Sequence, residues 1–356
     1  MSAVEFGIVG AGWRTEFYLR IARALPDRFR ITGVVVRKPE KRAPFEHTWG
    51  VRACANTAEL LQTAPSFVVT SVSWPANPPL LQELAARDVP VLSETPPAPA
   101  LEGLRAVAAL TRQGARIQVA EQYWAQPHHQ ACSALIERGL LGRPTHAQVS
   151  VAHGYHGISL LRRFLGIGFE LPTISGKHFV APIVAGAGRQ GPPEREEVRD
   201  SEQDIIFLDW GDRLGVLDFT GDQYFGWIRD NRLLIRGERG EIANDTVSYL
   251  KDFRTPMTAD LRRVVTGANG DLDGFYLKGI QAGGEWVYRN AFAPASLSDD
   301  ELAIATCLVS MDEYVRTGRE FYPLAEACQD HYLNLLCQQA VRERQEVRAE
   351  SQEWAN

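Results

Sequence analysis

Strand-length apolar runs alternate with stretches of helical period over the first third of the chain. Val4–Val9 is a short apolar run ending in glycines, and Thr15–Ala24 then sets Phe17, Leu19 and Ile21, with Leu25 beyond, at helix-like spacing. Apolar runs at 31–36, 67–72 and 89–92 are separated by helix-like segments at 58–61 and 80–86, and 101–113 followed by 116–120 repeats the unit. Strands alternating with helices in this way predict a parallel sheet with crossover helices, a doubly wound unit that should end near residue 125.

Past that point the pattern changes. A helix is expected over 130–138, closed by Gly139, and a strand over 145–151. From 175 to 241 strand-like runs, among them 204–210, 214–219 and 232–236, follow one another with only Gly and Asp turn signals between. That predicts a large, open, mostly antiparallel sheet. Residues 186–200, rich in Gly and Pro and then charged, predict a surface loop. Two helices should close the chain: one opens at Ser298, where Ser-Asp-Asp-Glu is a capping-box pattern, and one covers 324–344. The fold class is α/β.

Composition narrows the function classes. A chain of 356 residues suits two domains, and 45% hydrophobic with 23% charged residues is ordinary globular usage. A net charge of -6 supplies no concentrated basic face, so nucleic acid is not an expected partner. No stretch is long and apolar enough to span a bilayer, and the start reads as a strand and not as a signal peptide, so no membrane partner is expected. Five scattered cysteines without a CxxC pair suggest reduced core thiols and a cytoplasmic location.

The chemistry begins at the first turn. Gly10-Ala11-Gly12-Trp13-Arg14-Thr15 follows the first strand and opens the first helix, where backbone amides and the helix dipole can hold a pyrophosphate. Thr15 replaces the third glycine, so helix packing there must accept a β-branched residue. After the second strand, where an acidic residue would bind the ribose 2′-hydroxyl of NAD, the chain has Val36, Arg37 and Lys38. Two cations and no acceptor favour the 2′-phosphate of NADP, with NAD as second choice. Residues 1–125 are therefore expected to form a dinucleotide-binding Rossmann domain, with 126–356 as a second domain.

With these residues in hand, the chain resembles the glucose-fructose oxidoreductase, inositol dehydrogenase and MocA (Gfo/Idh/MocA) family. The glycine turn carries the likeness, together with Val91-Leu92-Ser93-Glu94-Thr95-Pro96-Pro97, similar to that family's Val-x-x-Glu-Lys-Pro. His153-Gly-Tyr-His156-Gly-Ile-Ser159-Leu-Leu resembles its Asp-x-Gly-x-His-x-x-Asp-Leu, and Pro323 to Tyr332 its closing helix. The resemblance implies a C-terminal sheet with one face over the substrate site and the other forming a homodimer or homotetramer interface. It also implies oxidation of a sugar or polyol hydroxyl, or reduction of the matching ketone, by a lysine, an aspartate and a histidine around the reacting carbon.

This chain departs from that set. Thr95 stands at the lysine position, Ala152 at the aspartate position, Asn77 where a histidine often lies over the nicotinamide, and Ser159 where a carboxylate could orient the remaining His156. Hydride transfer from an alcohol near neutral pH needs a base, which threonine does not supply and histidine does. His156 is the expected acid/base, with His153 or Tyr123 as the second proton-handling or orienting group. Glu121 and Tyr155 are further polar neighbours. Cofactor contacts are expected from Gly10, Gly12, Trp13, Arg14, Arg37, Lys38, Ser71, Asn77, Glu94, Thr95 and Gln122. His-x-x-His at 153–156 lacks a carboxylate or thiolate at ligand spacing, so no metal is expected. His128 and His129 read as partly exposed residues at a helix start, 222–232 as a strand with one sugar-stacking or interface face, and Lys177-His178 as a further site candidate.

Three functions remain open on the sequence: an NAD(P)-dependent oxidoreductase for a carbohydrate-like substrate, a redox-neutral lyase or glycosidase that retains its dinucleotide, and a catalytically silent dinucleotide-binding protein.

Overall fold

The computed structural model describes residues 3–188, 191–267, 270 and 274–355. Its first sheet has six parallel strands, β1 (Val4–Val9), β2 (Phe29–Val35), β3 (Ala53–Cys54), β4 (Phe67–Thr70), β5 (Val91–Ser93) and β6 (Ile117–Val119). They lie in the order β3-β2-β1-β4-β5-β6 and are connected by α1 (Thr15–Ala24), α2 (Pro39–Trp49), α3 (Thr57–Leu61), α4 (Asn77–Ala85) and α5 (Leu101–Arg112). The order reverses between β1 and β4, which opens a crevice at the carboxyl ends of these strands. The fold is α/β with an N-terminal doubly wound Rossmann sheet, as the alternating pattern predicts. The pattern does not reveal α2, which buries no side chain; Pro39 at its start and Gly50 at its end, in the left-handed region, delimit it instead.

Beyond α6 (Pro127–Glu137) come β7 (Pro144–Ser150), α7 (Gly154–Leu165), β8 (Thr173–Val184), β9 (Val198–Asp209), β10 (Leu214–Leu217), β11 (Arg232–Gly237), β12 (Gly240–Ala243), β13 (Thr246–Asp252) and β14 (Thr255–Asp260). A three-stranded antiparallel sheet of β15 (Arg262–Thr266), β16 (Tyr276–Ala282) and β17 (Glu285–Arg289) precedes α8 (Asp299–Thr317) and α9 (Leu324–Glu343), and β18 (Val347–Arg348) ends the strands. The large sheet runs β14-β13-β12-β11-β7-β10-β9-β8-β18, antiparallel except where β7 meets β10. Helices α7 and α9 cover one face. The other face is open, and the register of β8 against β9 puts Phe179 and Phe207 on it, both exposed.

Two local expectations change. The segment 222–232 is not a strand: a short 3-10 turn, Gly221–Tyr224, capped by the Thr220 hydroxyl, starts it, and only Arg232 enters β11. The expected loop 186–200 loses its last residues to β9, and its positions 189–190 lie outside the described residues. Ser298 does cap α8, with Glu301 completing the capping box.

Two apolar cores result. One joins β1, β4 and α1 through Phe6, Ile8, Tyr18 and Phe67 to Leu302, Ala305, Leu308 and Met311 of α8, so a helix from the chain's far end closes one side of the first sheet. The other runs from α5 through α9 and α7 to the large sheet. All five cysteines are buried and free.

The buried Arg162 on α7 links these layers. It donates to Asp330 Oδ1 at 2.6 Å, to Glu326 Oε2 at 2.6 Å and to the Gly168 carbonyl, and Tyr322 donates to Asp330 at 2.5 Å. Replacing Arg162 by Met leaves the Asp330 carboxylate buried without its cation, which should destabilise the fold by about 3–5 kcal/mol in urea unfolding; a loss below about 1 kcal/mol would show that the pair is not structural.

Candidate active site

The glycine turn has room for a ligand. A Cβ at Gly10, whose φ is +117°, would lie 1.9 Å from the Ser71 carbonyl oxygen, so the close approach of the two strand ends requires glycine there. A Cβ at Gly12 would meet nothing within 4 Å, which leaves open space above the start of α1. Thr15, in the third glycine's place, is buried and donates its hydroxyl to the Gly10 carbonyl and to the Ser71 hydroxyl, both at 3.0 Å, so the β-branched side chain ties the turn together. At the far end of the crevice Gln122 is 6% exposed and its Oε1 has no partner among the described residues. An open glycine turn and an unpaired carboxamide oxygen at the edge of the crevice fit a nicotinamide dinucleotide.

Not every expected cofactor contact points into the crevice. Arg14 Nε donates to Glu94 Oε1 at 2.7 Å, and the Tyr18 hydroxyl donates to the same oxygen at 2.5 Å, so Arg14 and Glu94 are engaged with each other. Asn77 is buried: its Oδ1 accepts from Thr70, and its amide donates to Ser93 and to the Pro97 carbonyl. It ties the ends of β4 and β5 to the turn carrying Thr95. Trp13 stands exposed, edge-on to Phe17. Arg37, exposed, lines a cavity of about 250 Å³ with Gly10, Asn56 and Thr57, and Lys38 precedes α2. Sequence reasoning missed Arg42, which sits one turn into α2 and donates to the carbonyls of Val36 and Arg37.

The proton-handling candidates come together where β6 ends and α7 begins. The His156 ring lies 4.4 Å from both Tyr123 and Tyr155 and 5.0 Å from His153, centroid to centroid. Its Nδ1 is 2.6 Å from Glu121 Oε2. Burial pushes the Glu121 carboxyl up to about 8 and the His156 imidazole down to about 3. Tyr155 bonds to Thr95 and is raised by burial. His153 bonds through Nδ1 to the Tyr224 hydroxyl, which also meets Tyr123. Although His153 has an open side to solvent, the protein around it and the nearby His156 lower it to about 4. Two cavities border this cluster and share Tyr224: one of about 350 Å³ walled by Trp74, His153 and Tyr155, the other of about 400 Å³ walled by Tyr123, Gln126 and Asp300.

The remaining candidates separate. His178 lines the first cavity and bonds to Asp204 at 2.7 Å, whereas Lys177, one residue earlier on β8, belongs to the open face. His129 is not the partly exposed residue expected from its place in the chain. It is 4% exposed, its Nδ1 lies 2.6 Å from the Tyr123 carbonyl, and burial lowers it to about 4. Its ring lies edge-on to Phe164 of α7.

Residues 4–121 match the model of the GFO_IDH_MocA family, described as "Oxidoreductase family, NAD-binding Rossmann fold". The likeness to that family therefore covers the Rossmann portion of the chain. No curated relative matches the chain. Among solved structures it is similar to the WlbA dehydrogenase from Bordetella pertussis in complex with NADH and UDP-GlcNAcA, at 16% identity and TM-score 0.64 over 98% of this chain and 100% of that one. An oxidoreductase from Agrobacterium radiobacter in complex with NAD+, L-tartaric acid and magnesium is similar at 14% identity and TM-score 0.66, over 97% and 98%. A myo-inositol dehydrogenase from Corynebacterium glutamicum is similar at 15% identity and TM-score 0.65, over 98% and 100%. At such identities the likeness shows a shared fold over nearly the whole chain.

The lowered histidines predict acid sensitivity with a defined sign. His129 is about 4 when folded and 6.5 when unfolded, so the unfolded chain binds the extra proton and stability is lost as the pH falls from about 6.5 towards 4. Glu121, raised when folded, acts in the opposite direction between 4.5 and about 8. Replacing His129 by Asn leaves Glu121 unchanged, so the urea midpoint of the variant should fall less than that of the parent between pH 6.5 and 4.5; equal slopes would show that His129 is not held neutral.

Proposed function

We propose that the protein is an NAD(P)-dependent oxidoreductase that interconverts a hydroxyl and a ketone on a sugar, polyol or related small molecule. The observation that carries this reading is the gathering of His153, Tyr155, His156 and Tyr123 beside Thr95, at the edge of the crevice that the glycine turn opens. Bound dinucleotide would supply the hydride acceptor or donor. Gly10 and Gly12 would admit its pyrophosphate, Gln122 would accept from its carboxamide, and Arg37, with Lys38 and Arg42 close by, would meet a 2′-phosphate, which makes NADP the first choice and NAD the second. His156 is the acid/base, and His153 or Tyr123 orients the substrate. Trp74 and Tyr155 present aromatic surface and His178 and Asp204 polar groups to the 350 Å³ cavity, a mixture suited to a carbohydrate ring.

In this reading residues 1–125 bind the dinucleotide, and 126–356 bind substrate and assemble the protein as a homodimer or homotetramer through the open face of the large sheet in the cytoplasm. Among the described residues no helix is long and apolar enough to cross a membrane.

Titration of nicotinamide fluorescence tests the cofactor half of the proposal. NADPH should bind more tightly than NADH, and Arg37→Ala should weaken NADPH binding about 10-fold or more, the loss of one charge-assisted contact, with NADH little affected. Absence of binding by either cofactor would overturn the enzyme reading. With a sugar or ketone, a net change at 340 nm supports the oxidoreductase; product without net change would indicate the redox-neutral alternative. Thr95→Lys should alter the pH-rate profile of the active enzyme by adding a second titrating group beside Tyr155.

A further inference from the structure

An imidazole held out of water is a weak base. His156 is lowered to about 3 by burial, so alone it would not retain a hydroxyl proton near neutral pH. The two positions that would bring a carboxylate to it offer none: Ala152 is buried, and the Ser159 hydroxyl donates to the His156 carbonyl. A carboxylate reaches it from a different element. Glu121, just after β6, places Oε2 2.6 Å from His156 Nδ1, and the two residues are 1% and 5% exposed.

We infer that Glu121 is the positioning residue of this site and that Glu121 and His156 gain and lose one proton as a unit, with His156 Nε2 as the atom that takes the substrate's hydroxyl proton. The identity of the reaction rests on the oxidoreductase reading; the behaviour of the pair does not.

The protons balance as follows in the two states. In the protonated pair the Glu121 O–H donates to Nδ1, and the ring's own proton is on Nε2. In the ionised pair the Glu121 carboxylate accepts from Nδ1–H, and Nε2 is bare. One proton leaves in all: that on Nε2 departs while that on Glu121 moves to Nδ1. When a carbinol is oxidised, its C–H electron pair and hydrogen go as hydride to the oxidised nicotinamide dinucleotide, and its O–H proton goes to Nε2 as the C=O bond forms. Nδ1 then returns its proton to Glu121, so no imidazolium persists in a site closed to water.

Burial outweighs the charges and donors around the pair, although the Tyr123 N–H donates to Glu121 Oε1 at 3.1 Å and Arg163 and Arg14 favour the Glu121 carboxylate. Arg14 from the glycine turn is paired with Glu94, Asp300 of α8 accepts from Gln126, and Asp330 of α9 is paired with Arg162. Arg163 of α7 stacks over Trp124 and Tyr322. His153, Tyr123, Tyr155 and Cys307 are the remaining titratable neighbours. Burial is therefore the main influence on Glu121, and raising it to about 8 brings the ionised pair within reach of neutral pH.

Nitrogen-15 spectra of the full chain labelled at histidine, recorded from about pH 5 to 9, test this directly. The His156 ring, assigned with His156→Gln, should remain neutral throughout and exchange its Nε2–H tautomer for Nδ1–H with a midpoint near 8. Glu121→Gln should abolish the exchange and lower kcat/KM for carbinol oxidation at least about 100-fold at high pH with KM little changed, while Glu121→Asp keeps part of both. An imidazolium forming with a midpoint near 6.5, or one tautomer across the whole range, would overturn the inference. Because the spectra of the unaltered protein need no turnover, that result is distinct from failure to find a sugar or ketone substrate.

Discussion

Removing a carboxylate and an imidazole from water is unfavourable unless each becomes the other's partner, and the seating of α7 against the end of β6 meets that condition at Glu121 and His156. The same seating brings Tyr123 and Tyr155 each within 4.4 Å of the imidazole and sets His153 at 5.0 Å from it, centroid to centroid. Behind it, Arg162 on the same helix holds Asp330 and Glu326 of α9. One helix therefore carries the His156–Glu121 contact at its first turn and the Arg162 ion pair further along.

The crevice and the cluster follow from different physical causes. At the glycine turn the constraint is space: Gly10 passes so near Ser71 that no side chain fits, and Thr15 converts its own bulk into two hydrogen bonds that hold the turn. Around His156 the constraint is polarity, because groups shut away from water must find partners among themselves. The Arg14–Glu94–Tyr18 contact shows how that second constraint reaches back into the crevice, engaging two residues that a motif would assign to the cofactor.

Much of the framework was legible in the chain. Periodicity located β1, α1 and most of the Rossmann elements, and the Ser298 capping box located α8, because these signals depend on residues close in sequence. The helix α2, with no buried face, left no apolar pattern to read. The segment 222–232 alternated as a strand does, yet its Thr220 cap and the hydrogen bonds of Gln223 to Ser150 and Asp230 turn it aside. His129 looked peripheral in the sequence because burial is decided by what packs on a helix, not by its position within it.

The chain by itself determined a doubly wound unit with a glycine turn after its first strand, basic residues after the second strand and a sheet-rich second half. Each of these is written in local spacing. Only the tertiary structure decided that Glu121, 35 residues away, is the carboxylate beside His156, that Asn77 and Arg14 are occupied elsewhere, and that α8 closes the first sheet. The reason is physical: partnership between buried polar groups depends on which chain segments share a dry interior, and a residue's sequence neighbours do not specify that.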